Sequence, residues 1–307
     1  MAFLGIDTSN YTTSVAIYDE GAVYQQRRLL PVADGALGLR QSDAVFAHVK
    51  ALGELTTQLV KERPAQISAF GVSATPRNQK GSYMPCFLTG IMAAEVSSSV
   101  MGLRLHRFSH QAGHVAAALY GAKRLDLITK TFVSLHVSGG TTECLLVKDL
   151  LAGEIELLSA TCDLNAGQAV DRVGKLLGLS FPAGKALDEL ACRSNRQYKV
   201  KPTFRDSNPC LSGLENQAQQ MQKDGISPED IAKYTIEYIL RVVDRMAQDA
   251  LIQSGCSEVL FAGGVMSNSI IQKTLAQKTG YIFAPPQYAT DNAVGIAVLT
   301  AASEGEL

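Results

Sequence analysis

Residues 2–18 and 132–147 carry the same pattern, and that repeat constrains the fold more than any other feature of the chain. Ala2–Ile6 is a short apolar run, Asp7–Thr13 a polar turn and Ser14–Tyr18 a second apolar run, closed by Asp19-Glu20-Gly21. The pattern returns as Phe132–Val137, the turn Ser138-Gly139-Gly140-Thr141-Thr142, and Glu143–Val147. Two apolar runs joined by small polar residues read as a β-hairpin. Its recurrence after about 130 residues predicts two lobes of one design, each opening with strand, polar turn and strand. A length of 307 residues agrees, being too long for one small core and too short for three ordinary domains.

Strands and helices alternate through the rest. Asp43–Glu62 has Val45, Val49, Leu52, Leu55 and Leu59 at helical spacing and stops before Pro64. Ile67–Val72, Val259–Phe261 and Tyr281–Ala284 read as strands; Gly90–Met101, Ala169–Leu177, Lys185–Arg193 and Asn292–Ala302 read as helices. Pro228–Ser254 is a long helix, with Ser227 as N-cap and Glu229 and Asp230 at its positive end. The alternation argues α/β. No low-complexity linker interrupts it, so the division falls at a tight crossover near 125–131. The expected lobes are 1–128 and 129–291, with the closing helix of 292–307 packing back on the first.

Composition bounds the partners. Hydrophobic residues at 46% and charged residues at 19% describe a soluble globular chain. A net charge of -1 supplies no general positive field, so any nucleic acid must be met by a local basic patch. The six cysteines form no C-x-x-C pair, which fits free thiols in a reducing compartment. The start has no basic region followed by an apolar stretch, and no run of about 18 apolar residues occurs. The expectation is a cytoplasmic protein without membrane contact.

Three small-residue turns follow directly on apolar strands: Asp7-Thr8-Ser9, Ser138-Gly139-Gly140 and Ala262-Gly263-Gly264. Glycine lets backbone approach phosphate oxygens, and turn N–H groups donate to them, so the three together point to a phosphate clamp between the lobes. Neither a G-x-x-x-x-G-K-[ST] loop nor a dinucleotide fingerprint is present. Asp163 and Asp171 flank Asn165–Gln168, where a carboxylate either accepts ribose hydroxyls or is simply solvated near a helix start. His110 and His114 stand at i and i+4, on one helical face, either as a packed pair or as two ligands of one metal. Asp291 is the candidate third ligand, or else the N-cap of the closing helix. No H-E-x-x-H occurs, so proteolysis is unsupported. Arg193, Arg196, Lys199, Lys201 and Arg205, with Tyr198 and Phe204 among them, form either a solvated loop or a surface that follows a nucleic-acid backbone and stacks a base.

Eight ordered motifs then resemble one family: Gly5-Ile6-Asp7-Thr8-Ser9, His110-x-x-Gly113-His114, Val137-Ser138-Gly139-Gly140-x-Thr142, Ala166-Gly167-x-Ala169-x-Asp171, Lys175–Leu179, Leu211-Ser212-Gly213-Leu214, Ala262-Gly263-Gly264-Val265-x-x-Asn268 and Thr290-Asp291-Asn292. They look like the tRNA N6-adenosine threonylcarbamoyltransferases, once labelled O-sialoglycoprotein endopeptidases. The resemblance implies two actin-like lobes of the sugar-kinase, heat-shock-protein and actin type, with a nucleotide and metal cleft between them. It implies one divalent metal, iron or zinc, on His110, His114 and Asp291. It implies that Ser138, Gly139, Gly140, Thr141, Thr142, Gly167, Asp171, Gly184, Gly263, Gly264 and Asn268 hold an adenine nucleotide or adenylate, with Asp7 and Ser9 as candidate catalytic residues. The implied reaction is attack on threonylcarbamoyl adenylate by N6 of an adenosine in tRNA, with release of AMP. A paralogous subunit is an implied partner.

Several positions depart from the family pattern. Tyr11-Thr12 replaces an Asp-Glu pair, Ala112 a Glu, Thr141 a His or Asn, Gln168 a Glu, and Glu215 a Lys, while Ala74–Gly81 replaces a Gly-Pro-Gly loop. That is the pattern of a divergent paralog. Two alternatives therefore stand beside the family reaction: an adenylate-dependent transferase with a small-molecule acceptor, and a non-catalytic nucleotide-binding subunit. Glu215 is expected to repel an anionic donor or tRNA.

Overall fold

Backbone pairing at the start of the chain runs straight through its polar residues. In the computed structural model, which describes residues 1–9, 11–31, 39–288 and 292–307, β1 (Ala2–Ser9) and β2 (Thr12–Asp19) are antiparallel, with Asp7 opposite Ser14 and Ser9 opposite Thr12. The expected polar turn over 7–13 is thus strand almost to its tip. A β-ladder uses only main-chain groups, and these side chains find partners inside. Thr8 Oγ1 donates to the Cys86 carbonyl at 3.0 Å and accepts from the Gly90 N–H at 3.1 Å.

The chain divides into two compact units, one of Met1–Lys130, Lys148–Ile155 and Gln287–Leu307, the other of Thr131–Val147 and Glu156–Pro286. In the first, β3 (Ala22–Leu29) pairs with β2, and α1 (Gln41–Glu62) leads to β4 (Ile67–Thr75), parallel to β1. Next, α2 (Phe87–Met101) leads to β5 (Arg104–Ser109), parallel to β4, and α3 (His110–Gly121) follows at once. The sheet order is β3-β2-β1-β4-β5.

The second unit has β6 (Phe132–Val137), most of β7 (Thr142–Asp149) and of β8 (Glu154–Ala160), α4 (Ala166–Leu176) and α5 (Gly184–Ala191). A short hairpin, β9 (Thr203–Arg205) and β10 (Asn208–Cys210), precedes α6 (Gly213–Lys223) and α7 (Pro228–Ser254). β11 (Val259–Ala262), α8 (Ser269–Leu275) and β12 (Tyr281–Phe283) complete it. The order is β12-β11-β6-β7-β8, so β6, β7, β8, β11 and β12 repeat the places of β1 to β5. The hairpin repeat in the sequence is the visible part of a repeat of whole sheets.

Local signals account for α7. The Ser227 hydroxyl accepts from the Asp230 N–H, Pro228 opens the first turn, and Gly255 ends the helix in the left-handed region at φ 72. Its inward face brings Ile231, Ile236, Ile239, Val243 and Met246 into one core with Leu135 of β6 and with Val259 and Phe261 of β11. Each such side chain, once fully buried, contributes about 1.5–3 kcal/mol relative to exposure. A charge at Val243 would break this contact.

α9 (Val294–Ser303) belongs to the first unit and is buried at every residue from Val294 to Ala301. It reaches β1 and α3 through two glycines. A Cβ on Gly5 would lie 2.4 Å from the Ala297 nitrogen, and one on Gly295 would lie 1.8 Å from the Gly113 carbonyl oxygen. Among the described residues, no helix is long and apolar enough to cross a membrane.

Candidate functional site

The histidine pair is built by the junction of β5 and α3. The Ser109 hydroxyl accepts from the Ala112 N–H at 3.1 Å, so the first turn is capped and His110 and His114 share one face. Their Nε2 atoms lie 2.9 Å apart. Asp7, fully buried at 0% exposure, is bonded to His110 Nδ1 through Oδ2 at 2.7 Å. The same carboxylate accepts from the Ser9 N–H at 2.8 Å and from the Ser73 hydroxyl. Burying a carboxylate is costly unless it is fully partnered, and here three donors converge on it. With Nδ1–H held by Asp7, His110 turns the lone pair of Nε2 toward His114.

This donor set fits a metal. One cation at the usual metal–nitrogen distance of about 2.0–2.1 Å reaches both nitrogens, and a carboxylate behind an imidazole is the common support for such a ligand. Asp291 lies outside the described residues, and among the described residues no group of three His, Cys, Asp or Glu is arranged around one ion. Ser9 is buried, and its hydroxyl makes no hydrogen bond among the described residues. Behind Asp7, His48 of α1 meets Thr13 Oγ1 at 2.8 Å. Burial pushes the His48 pKa down, and the nearby Asp7 charge pulls the other way. Burial also pushes the Cys86 thiol up to about 11, so it stays protonated and is no nucleophile at neutral pH.

The second unit holds a pocket of about 540 Å³, a size suited to a nucleotide. Gly139, Gly167, Asp171, Gly184, Gly264 and Asn268, all named from the sequence, line it. Backbone meets backbone around it. The Gly167 N–H donates to the Ser138 carbonyl at 3.0 Å, and a Cβ on Gly167 would lie 2.6 Å from the Gly139 nitrogen. Gly263, at φ +103, leaves its absent Cβ 2.2 Å from the Val137 carbonyl oxygen. Ser138 Oγ accepts from the Gly140 and Thr141 N–H groups, which shapes the turn. Thr142 is buried and spends its hydroxyl on the Ala166 N–H at 2.8 Å, at the start of α4. Asp171 Oδ1 accepts from the Ala183 N–H at 2.8 Å. Asn268 Oδ1 caps α8 by accepting from Ile270 and Ile271 at 3.1 Å each.

Phe181, Lys185, Asp188 and Ile236, which the sequence did not single out, also line the pocket. Asp188 stands one helical turn beyond Gly184, so spacing along α5 was the available signal. Asp163 is structural: its carboxylate accepts from the Leu164, Leu211 and Ser212 N–H groups and from the Ser212 hydroxyl. Burial raises its pKa, but those hydrogen bonds outweigh it and the net shift is downward.

The basic tract is exposed at Arg193, Arg196, Lys199, Lys201 and Arg205, with Arg196 paired to Asp230 at 3.2 Å. Its two rings already have partners within the fold. Tyr198 packs edge-on to Tyr234, and Phe204 lies under the Arg245 guanidinium. Two departures also find local partners. Gln168 accepts from the Asn165 N–H at the start of α4, and Glu215 pairs with Arg172 at 3.2 Å. The Glu215 charge thus has a cation beside it.

Two five-stranded sheets of one topology, with a glycine-walled pocket on the second, define the actin-like ATPase fold, and solved structures agree. The chain is similar to HypF in its phosphate- and nucleotide-bound form, with TM-score 0.61 and 12% identity, covering 98% of this chain and 54% of that one. The chain thus spans about half the length of HypF. It is similar over 99% of both chains to component A of (R)-2-hydroxyglutaryl-CoA dehydratase from Acidaminococcus fermentans, with TM-score 0.56 and 14% identity. The family is narrower than the fold. The model of TsaD, tRNA N6-adenosine threonylcarbamoyltransferase, matches residues 38–298, and the chain belongs to that family of transferases. Relatives of that name from Thermosipho africanus and Nostoc punctiforme are 30% and 29% identical, covering 97% and 95% of this chain and 93% and 88% of theirs.

Proposed function

We propose that the chain transfers a threonylcarbamoyl group from its adenylate to N6 of an adenosine in tRNA, releasing AMP. The observation that carries this reading beyond family membership is the histidine pair aimed by a buried carboxylate. His110 and His114, with Asp291 as third ligand, would hold a divalent metal, iron or zinc, which would supply a Lewis acid for developing charge. In the transfer itself the N6 amine attacks the carbamoyl carbon and sheds a proton to water. The carbon–oxygen bond to the phosphate breaks, and AMP leaves with its electron pair.

The chain's own residues bind and orient. Asp7 has its oxygens committed to three donors, so it acts by positioning His110 rather than as a base. Ser9 contributes its backbone N–H to that carboxylate. The Ser138–Thr142 turn with Gly263 and Gly264 offers backbone to the phosphate, and Asp171 and Asn268 offer an acceptor and an amide to the ribose. Arg193, Arg196, Lys199, Lys201 and Arg205 meet tRNA phosphates, a grip that weakens steeply with salt. The packed rings of Tyr198 and Phe204 favour a second reading, in which the acceptor is a small molecule.

Reconstitution separates the readings. The full chain is incubated with threonine, bicarbonate, ATP, an adenylate-forming enzyme and unmodified tRNA, and digested tRNA is analysed by mass spectrometry. Threonylcarbamoylated adenosine that disappears with His114→Ala supports the first reading. AMP release without modified tRNA supports the second, and an adenylate left intact defeats both.

A further inference from the structure

Phe181 is 84% exposed, although it lines the pocket of the second unit. Single exposed apolar side chains are ordinary, and Ile252 is as exposed as Phe181; what sets Phe181 apart is that its ring stands on the lining of a pocket. Its backbone, by contrast, is held on both sides. Before it, the Leu179 N–H donates to the Gly174 carbonyl at 2.9 Å. After it, the Ala183 N–H donates to Asp171 Oδ1 at 2.8 Å. α4 presses close here too: a Cβ on Gly174 would lie 2.1 Å from the Ala183 Cβ. The segment is therefore fixed while the ring is uncovered.

The pocket's other apolar surface comes from Val170, Ile236 and Val265, and its polar groups include Asp171 and Asn268. A ligand with one flat apolar face and a polar remainder matches that division, and a purine nucleotide has both. We propose that Phe181 is a specificity-determining residue that stacks on the purine base of the bound nucleotide. This rests on the nucleotide reading of the pocket. It assigns Asp171 a second duty, since the carboxylate that lines the pocket also anchors the segment carrying the ring. An aromatic face tolerates any base, so Phe181 selects for a nucleobase over a bare sugar phosphate.

The absence of tryptophan from the chain makes the test direct, because Phe181→Trp introduces a single indole at the site. AMP and ribose 5-phosphate are titrated by calorimetry into the wild-type protein, Phe181→Ala and Phe181→Leu, and indole fluorescence is followed in Phe181→Trp. Stacking predicts that Phe181→Ala weakens AMP by roughly 5- to 150-fold and leaves ribose 5-phosphate unchanged. Phe181→Leu restores little of the loss, and AMP but not ribose 5-phosphate quenches the indole. AMP binding to Phe181→Ala at wild-type strength, or an indole unaffected at saturation, overturns the stacking role while the nucleotide reading stands. No AMP binding to the wild-type protein overturns both.

Discussion

At the end of β1 the polar side chains turn inward on one another, whereas at the end of β6 the backbone itself faces solvent. The two strands hold equivalent places in sheets of one topology. Asp7, Thr8 and Ser9 are buried, and Asp7 is tied to β4 through Ser73 and to α3 through His110. Gly139 and Gly140 are exposed, with nothing within 4 Å of where a Cβ would stand. One hairpin design thus serves two ends. A buried carboxylate fixes imidazoles in one unit, and in the other a turn braced by the Ser138 hydroxyl leaves Gly139 on the pocket wall.

Breaking the first half should have the larger effect. Asp7→Ala strands the Ser9 N–H, the Ser73 hydroxyl and the His110 ring, and is expected to cost about 3–5 kcal/mol of stability. Denaturant unfolding measures it; a loss below about 1 kcal/mol would mean that the network is not what holds this end of the sheet. The second half should break by crowding. Gly167→Ala puts a Cβ against the Gly139 backbone, which cannot yield as a side chain would, and is expected to cost about 1–3 kcal/mol and to weaken AMP. Gly140→Ala, with open space around it, should leave unfolding unchanged. Equal behaviour of the two variants would erase the distinction between the wall of the turn and its open face.

The smallest effect sharpens the contrast within the second unit, where Asp163 is a carboxylate used for structure. Its folded pKa is depressed, so its contribution is complete above the ordinary carboxylate value of about 3.9 and is lost as pH falls through the folded value. Asp163→Asn should be less stable than the parent at neutral pH, and the gap should close in acid. Unfolding curves across that range check the sign; a gap that widens in acid would contradict it.

The sequence made the repeat, the long α7 and the glycine turns legible, because each rests on local pattern. It concealed what depends on distant partners. Asp7–Ser9 read as a turn since polar residues ordinarily mark one, while their burial is made tolerable by Ser73 and His110, far along the chain. The strand β3 was hidden by its charged residues, Arg27 and Arg28, which suit an edge. Tyr198 and Phe204 looked available for bases because their partners, Tyr234 and Arg245, lie on α7. Phe181 was silent in sequence, since exposure of one ring is decided by tertiary packing.

Metal content tests the central claim most directly, that the carboxylate buried under β1 serves to aim a metal-binding imidazole pair. Purified wild-type protein and His114→Ala are analysed for iron and zinc by mass spectrometry. The expected result is about one metal ion per wild-type chain and a level near that of the buffer in His114→Ala. Equal and negligible metal in both proteins would contradict it.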